Sequence, residues 1–345
     1  MKAAILHEPK KISVQDVAVP QISEFEVLVR IRVSGVCGTD VRIFNGEKTK
    51  GVRPDSIIGH EMVGVVEQVG SQVAGFAKGD RVGIMPVIPC LKCHYCLNGR
   101  ENACANRKAI GYEFDGGFAE YVKIPQIALE AGNLVKLPDH VPFEQAVVAE
   151  PLACCINGHR KANVRMNDTV VVIGGGPIGL MHVQLAKISG ARKVILSEPV
   201  EHRLERALTA GADIVVNPLR QSLHDVIMQE TNGLGADVVI MAIGVPSIVQ
   251  ECIGLLRKGG TINLFAGFPK GVKCEIDPNV IHYQEVQVTG TTALTRNDYL
   301  TALSLIATGK INTEVLTTPG YTLDRIEEAI LDVKTGKGMK SIIHM

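Results

Sequence analysis

From residue 169 onward, short apolar runs recur with little polar interruption: TVVVI (169–173), KVILSE (193–198), DIVVN (213–217), ADVVIMAI (236–243), TINLFAG (261–267) and EVQVTG (285–290). Strands buried on both faces carry such near-continuous runs. Between most of them lie segments of helical periodicity, such as IGLMHVQLAKISG, EHRLERALTAG and PSIVQECIGLLRKGG, each closing on glycine, a frequent helix terminator. Six strands alternating with helices predict an α/β doubly wound parallel sheet. The stretch 267–285 has little helical pattern and is expected to cross as a loop.

The first 150 or so residues have a different pattern. Strand-like runs (EVLVRIRVSGV, GVVEQVG, RVGIM, AEYVKIP) are broken by Gly and Pro, as in an all-β or barrel-like unit. Past 290, DYLTALSLIATGKI and TLDRIEEAILDVKTG have helical patterns and precede a final strand, SIIHM. The expected organisation is a β-rich domain over 1–151, rejoined by 292–345, with a nucleotide-binding domain over 152–291 inserted between.

Composition adds constraints. Lys+Arg and Asp+Glu balance at 36 each, which argues against a nucleic-acid or membrane-surface partner. Trp is absent, so Val, Ile, Leu and Ala must build the core. The opening MKAAILHEPKKISV has no export-type apolar region, and no run of 18 apolar residues follows. The expected compartment is the cytoplasm, where nine cysteines bind metal or lie buried rather than form disulfides.

Four of those cysteines crowd into PCLKCHYCLNGRENAC. Cys90, Cys93, Cys96 and Cys104 have the spacing C-x2-C-x2-C-x7-C, which can close four thiolates around a structural Zn²⁺. An iron–sulfur cluster or unmetallated thiols are the alternatives; the x7 gap departs from ferredoxin spacing. A site closed by four thiolates has no position for substrate, so this lobe is expected to stabilise a loop rather than catalyse.

VVVIGGGPIGLMHVQLA places Gly174, Gly176 and Gly179 in G-x-G-x-x-G, after a predicted strand and at the opening of a helix, with Pro177 and Ile178 between the last two glycines. Glu198 follows nineteen residues after Gly179, at the end of the next strand. This context predicts dinucleotide binding, with pyrophosphate at the helix N-terminus. Glu198 should accept from both ribose hydroxyls and repel a 2′-phosphate, which favours NAD. Arg203 either stacks on adenine or lies on a surface helix.

A second donor set is scattered: Cys37 in SGVCGTD, His60 and Glu61 in IIGHEMVGVVEQVG, and Glu150 in AVVAEPLACC. A thiolate, an imidazole and carboxylates suit a zinc that keeps an open position. Spacing alone does not bring them together.

With CGTD, GHE, the four-cysteine lobe, DGGFAEYV, EPLAC, GGGPIG and RKGG in this order, the chain resembles the zinc-containing medium-chain dehydrogenase/reductase family along its whole length. Within that family it is most similar to the sorbitol (L-iditol 2-) dehydrogenase and threonine dehydrogenase branch. The resemblance implies a GroES-like β-barrel-type catalytic domain beside a Rossmann domain, two zinc ions per chain, and NAD. It implies Cys37 and His60 as catalytic-zinc ligands, Glu61 as an exchangeable ligand, and Glu150 as the fourth ligand or the holder of a zinc-bound water. Thr39 would relay the substrate proton. NAD contacts would come from Ile178, Glu198, Arg203, the turn Ala266, Gly267 and Phe268, and Thr291, Thr292 and Ala293. A homo-oligomer, dimer or tetramer, is expected.

Two positions depart from the family pattern. Arg42 stands where many relatives carry a proton-relaying His, and Ala293 where sorbitol dehydrogenases carry a substrate-binding Arg. The expected reaction is hydride transfer from a secondary alcohol of a polyol or sugar-derived alcohol to NAD. L-Threonine, a polyol phosphate and a cyclitol are the alternatives. Only Arg42 and Arg296 offer cations in the motif segments, so the expected substrate is uncharged.

Overall fold

The computed structural model describes residues 1–345. The chain divides into two compact units. The first comprises Met1–Ala153, Ala293–Gly309 and Thr317–Met345; the second comprises Cys154–Thr292 and Lys310–Leu316.

The second unit holds six parallel strands in the order Ile214–Val216, Lys193–Ser197, Thr169–Ile173, Ala236–Met241, Leu256–Leu264 and Gln287–Gly290. The chain starts in the middle, builds outward to one edge, then returns to build the other, as in a doubly wound sheet. Every residue of Thr169–Ile173 is buried, which accounts for its uninterrupted apolar run. Val171, Ile195, Val239 and Ile262 lie fully buried in one core cluster beneath the helices. Helix Pro177–Ile188 starts on a proline preset for the first turn and ends before Gly190, at φ +82°.

The expected loop over 267–285 contains a helix, Pro278–Gln284. None of its residues is buried, so it leaves no apolar period in the sequence. Its start is marked instead by Asp277, whose carboxylate accepts the Asn279 N–H at 2.9 Å, and by Pro278 in the first turn. A second difference lies just before it. Helix Val249–Gly254 is short, and LLRKGG feeds strand Leu256–Leu264 through a register irregularity.

The first unit is β-rich. Strand Val27–Gly35 is its axis, antiparallel to Glu61–Val69, to Tyr121–Ile124 and, through Val33–Gly35, to the last strand, Ile342–His344. Val29, Ile31, Met62, Val82 and Ile124 fill the core of this sheet. The segment after 293 is packed into the unit: Tyr299 is almost fully buried, and its hydroxyl lies 2.5 Å from where a Cβ on Gly83 would stand. No helix is long and apolar enough to cross a membrane.

Candidate functional site

Cys37 follows the axial strand and caps helix Gly38–Phe44. Asp40, in the first turn, accepts the Cys37 N–H at 2.8 Å through one carboxylate oxygen, and its other oxygen faces His60 Nδ1 at 3.2 Å. The capping geometry therefore sets the thiol and orients the imidazole, leaving His60 Nε2 for a ligand. His60 precedes strand Glu61–Val69, after Gly59 at φ +93°, where a Cβ would strike the Phe118 ring. Glu61 opens that strand opposite Gly35, and a Cβ on Gly35 would lie 2.1 Å from the Glu61 carboxylate.

Donor atoms of Cys37, His60 and Glu61 all lie within 4.8 Å of one another. Thiol, imidazole and carboxylate together suit zinc, and three protein donors leave a position free. Burial disfavours the His60 cation, while Tyr112, Asp40 and Cys37 oppose that effect and raise the imidazole well above its ordinary range. Burial also pushes the Tyr112 phenol upward.

Glu150 does not join this tight trio. It lies buried near the start of helix Ala149–Ala162, and its charge is felt at Tyr112, Tyr299 and Lys340. Thr39 sits half-buried on the short helix between Cys37 and Asp40. Sequence reasoning missed Lys340, whose Nζ meets both Glu61 oxygens at 2.6 and 2.8 Å. It also missed Asp40, although CGTD displays it, and Tyr112, whose hydroxyl lies 3.4 Å from His60 Nδ1.

The four-cysteine lobe forms a second cluster, again with all donor atoms within 4.8 Å. Cys93 Sγ lies 3.6 Å from Cys96 Sγ and 3.9 Å from Cys104 Sγ. Sulfurs about 2.3 Å from a tetrahedral zinc stand about 3.8 Å apart, so the set fits that ion. Backbone N–H groups of Cys96 and Ala105 draw the Cys93 thiol down to about 6. Burial and the neighbouring Cys93 and Cys104 push Cys96 up to about 12. Around them Leu91, Tyr95 and Leu97 are exposed, so the lobe has little core of its own and a metal would take its place.

In the second unit, Gly174 takes φ +103°, and a Cβ on Gly179 would fall 1.8 Å from the Gly174 carbonyl oxygen. The loop is thus tight enough to bring backbone N–H groups to the start of the helix, where Gly176 caps it and Pro177 begins it. Glu198 is buried; it accepts from Gly175 N–H at 2.7 Å and from Val200 N–H at 3.1 Å. Arg203 Nη1 stands 3.7 Å from Glu198. The turn of Ala266, Gly267 and Phe268 packs on Gly244, where a Cβ would meet Gly267 O at 2.2 Å. Thr291 accepts from Asn263 Nδ2 at 3.0 Å, and Thr292 O accepts from Asn157 Nδ2 at 3.4 Å. All these segments follow carboxyl ends of parallel strands, where open α/β sheets bind nucleotides. Ala293, at φ +54°, begins the chain's return to the first unit.

Comparison with known proteins agrees. The model of the alcohol dehydrogenase GroES-like domain matches residues 23–139, and that of the zinc-binding dehydrogenases matches 177–308. A D-arabitol-phosphate dehydrogenase of Enterococcus avium is 33% identical over 334 residues, covering 95% of this chain and 92% of its own. An L-threonine 3-dehydrogenase of Pyrococcus furiosus is 34% identical over 331 residues, covering 95% and 93%. The crystal structure of a zinc-binding dehydrogenase from Sinorhizobium meliloti 1021, bound to NADP, superimposes with a TM-score of 0.93 at 33% identity over 100% of this chain and 99% of that one. A GroES-like unit, a Rossmann sheet, two metal-competent clusters and these relatives agree: the chain belongs to the zinc-binding medium-chain dehydrogenase/reductase family and is an NAD(P)-dependent oxidoreductase acting on an alcohol or polyol-type substrate.

Proposed function

We propose that the protein oxidises a secondary alcohol of a polyol or sugar-derived alcohol to a ketone, with NAD as acceptor. The observation that carries this is the unequal chemistry of the two clusters. Four thiols close one site, whereas Cys37, His60 and Glu61 make a mixed site with a free position.

When bound, zinc supplies Lewis acidity and NAD a hydride acceptor. The chain does the rest. Cys37 and His60 hold the catalytic metal, Asp40 fixes the imidazole tautomer, and Glu61 or Glu150 completes the set. Thr39 would relay the proton of the substrate hydroxyl, releasing its own hydroxyl proton toward solvent as it accepts the substrate's. Cys90, Cys93, Cys96 and Cys104 hold the structural zinc. Gly174, Gly176 and Gly179 shape the pyrophosphate loop, with Pro177 and Ile178 in its helix turn. Arg203, Ala266, Gly267, Phe268, Thr291, Thr292 and Ala293 line the rest of the nucleotide site. Glu198 accepts from the ribose hydroxyls and repels a 2′-phosphate, which selects NAD although the solved relative is bound to NADP.

The buried Glu150 carboxylate favours a substrate with a hydroxyl beside the reacting one, which a simple alcohol lacks. Similarity to an arabitol-phosphate dehydrogenase supports a polyol. Similarity to an L-threonine 3-dehydrogenase makes L-threonine the second reading. The test is NADH release from sorbitol, xylitol, arabitol, myo-inositol, L-threonine and ethanol under one condition. A polyol should lead in kcat/KM; L-threonine or ethanol in first place overturns the assignment.

A further inference from the structure

Glu61 differs from the other donors of the mixed cluster. Asp40 engages one nitrogen of His60 and leaves the second for a metal, whereas both oxygens of Glu61 already accept from Lys340 Nζ, at 2.6 and 2.8 Å. The ammonium is itself pinned, since it also donates to the Val36 carbonyl at 3.3 Å. The backbone around it is tied on both sides. Thr318 N–H donates to the Lys340 carbonyl at 3.2 Å, and Val36 N–H to the Ser341 carbonyl at 3.0 Å.

The carboxylate lies in a space left for it. Gly35 pairs with Glu61 across the sheet, and a Cβ there would stand 2.1 Å from Oε2 and 3.2 Å from the carboxyl carbon. Gly35 ends an ordinary strand and has no positive φ, so no turn asks for glycine at this position. What the missing side chain provides is room for Oε2.

A carboxylate between an ammonium and a metal site can serve either. Glu150, buried in the same unit, is the other carboxylate able to complete the Cys37 and His60 set. If Glu61 bound as well, it would take the fourth position, the one a substrate oxygen needs.

We propose that Lys340 and the space at Gly35 hold Glu61 off the metal, so that Glu150 completes the set and one position stays open. The inference rests on the zinc-dependent function proposed above. Lys340 and Gly35 are positioning residues, and both act through Glu61.

The test measures zinc affinity of the mixed site in the intact protein by competition with a chelator, beside kcat for a polyol substrate. Zinc retained in the four-cysteine lobe is the internal reference. Lys340→Met frees Glu61 to bind the metal, so zinc should be held about tenfold to a hundredfold more tightly and kcat should fall by a similar factor. Adding Glu61→Gln should return the affinity to the wild-type range. Lys340→Arg keeps the cation and should stay near wild type. Gly35→Ala should tighten zinc and slow turnover with the ammonium still present. A merely structural role would weaken zinc binding together with turnover. Unchanged or weaker zinc binding in Lys340→Met therefore overturns the inference, as does a tightened site that Glu61→Gln leaves tight. If Lys340→Met does not fold, Gly35→Ala decides by the same two readings. Wild-type protein that holds zinc only in the cysteine lobe sinks the proposed function as well.

Discussion

Lys340 and Glu61 form a buried ion pair at the candidate metal centre, with Nζ 2.6 and 2.8 Å from the two carboxylate oxygens and also 3.3 Å from the Val36 carbonyl. Glu61 is 0% and Lys340 5% exposed. The pair fixes the carboxylate beside Cys37 and His60 and neutralises it. Lys340→Met strands a buried charge, at an expected cost of about 3–5 kcal/mol. Glu61→Gln in the same chain should recover part of that loss, because it removes the charge that was stranded. Thermal melts of the two single variants and the double variant measure the coupling; simple additivity would contradict it.

The two cysteine-containing clusters should separate in experiment. Pure protein should hold about two zinc ions per chain, one for each donor set. Cys37→Ser should lose turnover and one zinc while melting close to wild type. Cys96→Ser should also lose one zinc, but it should lower the melting temperature first, since the lobe around it has little core. Metal analysis beside calorimetry checks both, and full activity in Cys37→Ser would refute the assignment of the open site.

Glu198 should set the nucleotide preference. Its carboxylate already accepts the Gly175 N–H at 2.7 Å, so it is held at the phosphate loop and cannot swing freely from an added negative charge. Like-charge juxtaposition costs several kcal/mol, and every 1.4 kcal/mol is about tenfold. Wild type should therefore favour NAD over NADP by at least about a hundredfold in kcat/KM, and Glu198→Ala should erase most of that margin. An NADP preference in wild type would disprove the role.

A pair of histidines should make the nucleotide unit sensitive to acid. His182 is fully buried with neither ring nitrogen hydrogen-bonded, and it stacks 6.4 Å from His159, whose Nε2 meets Ser189 Oγ at 2.9 Å. Burial lowers His159 to about 4, and burial with His159 beside it lowers His182 to about 3. The unfolded chain binds protons at both near 6.5, while the folded chain does not. Stability is thus complete above pH 6.5 and falls as pH drops, by up to two protons down to about 4 and one more stretch to about 3. At about 1.4 kcal/mol per proton per pH unit, the loss reaches several kcal/mol. Denaturant titrations of wild type and His182→Leu between pH 4 and 7 should show the variant with about half the slope.

The parts legible in the sequence are those fixed by near neighbours. The cysteine lobe and the glycine loop announce themselves because their donors or turns lie within sixteen residues, and the central strand Thr169–Ile173 because it is buried along its whole length, whereas the edge strand Gln287–Gly290 is largely exposed despite its strand-like pattern. Helix Pro278–Gln284 escaped because it buries nothing and so has no period, leaving only an Asp-Pro start. Lys340 escaped for another reason. Nothing in GKGMKSIIHM distinguishes it from a surface lysine until strand Ile342–His344 lies beside Val33–Gly35.

That last strand has a consequence for synthesis. Glu61 and Lys340 are separated by 279 residues, and at about 5–20 residues per second a ribosome takes on the order of tens of seconds to cover that span. Throughout that interval the nascent chain carries Cys37, His60 and Glu61 without the lysine that neutralises the carboxylate, and the Val33–Gly35 stretch without the strand that covers it. The candidate metal centre is among the first segments translated, yet among the last that can mature.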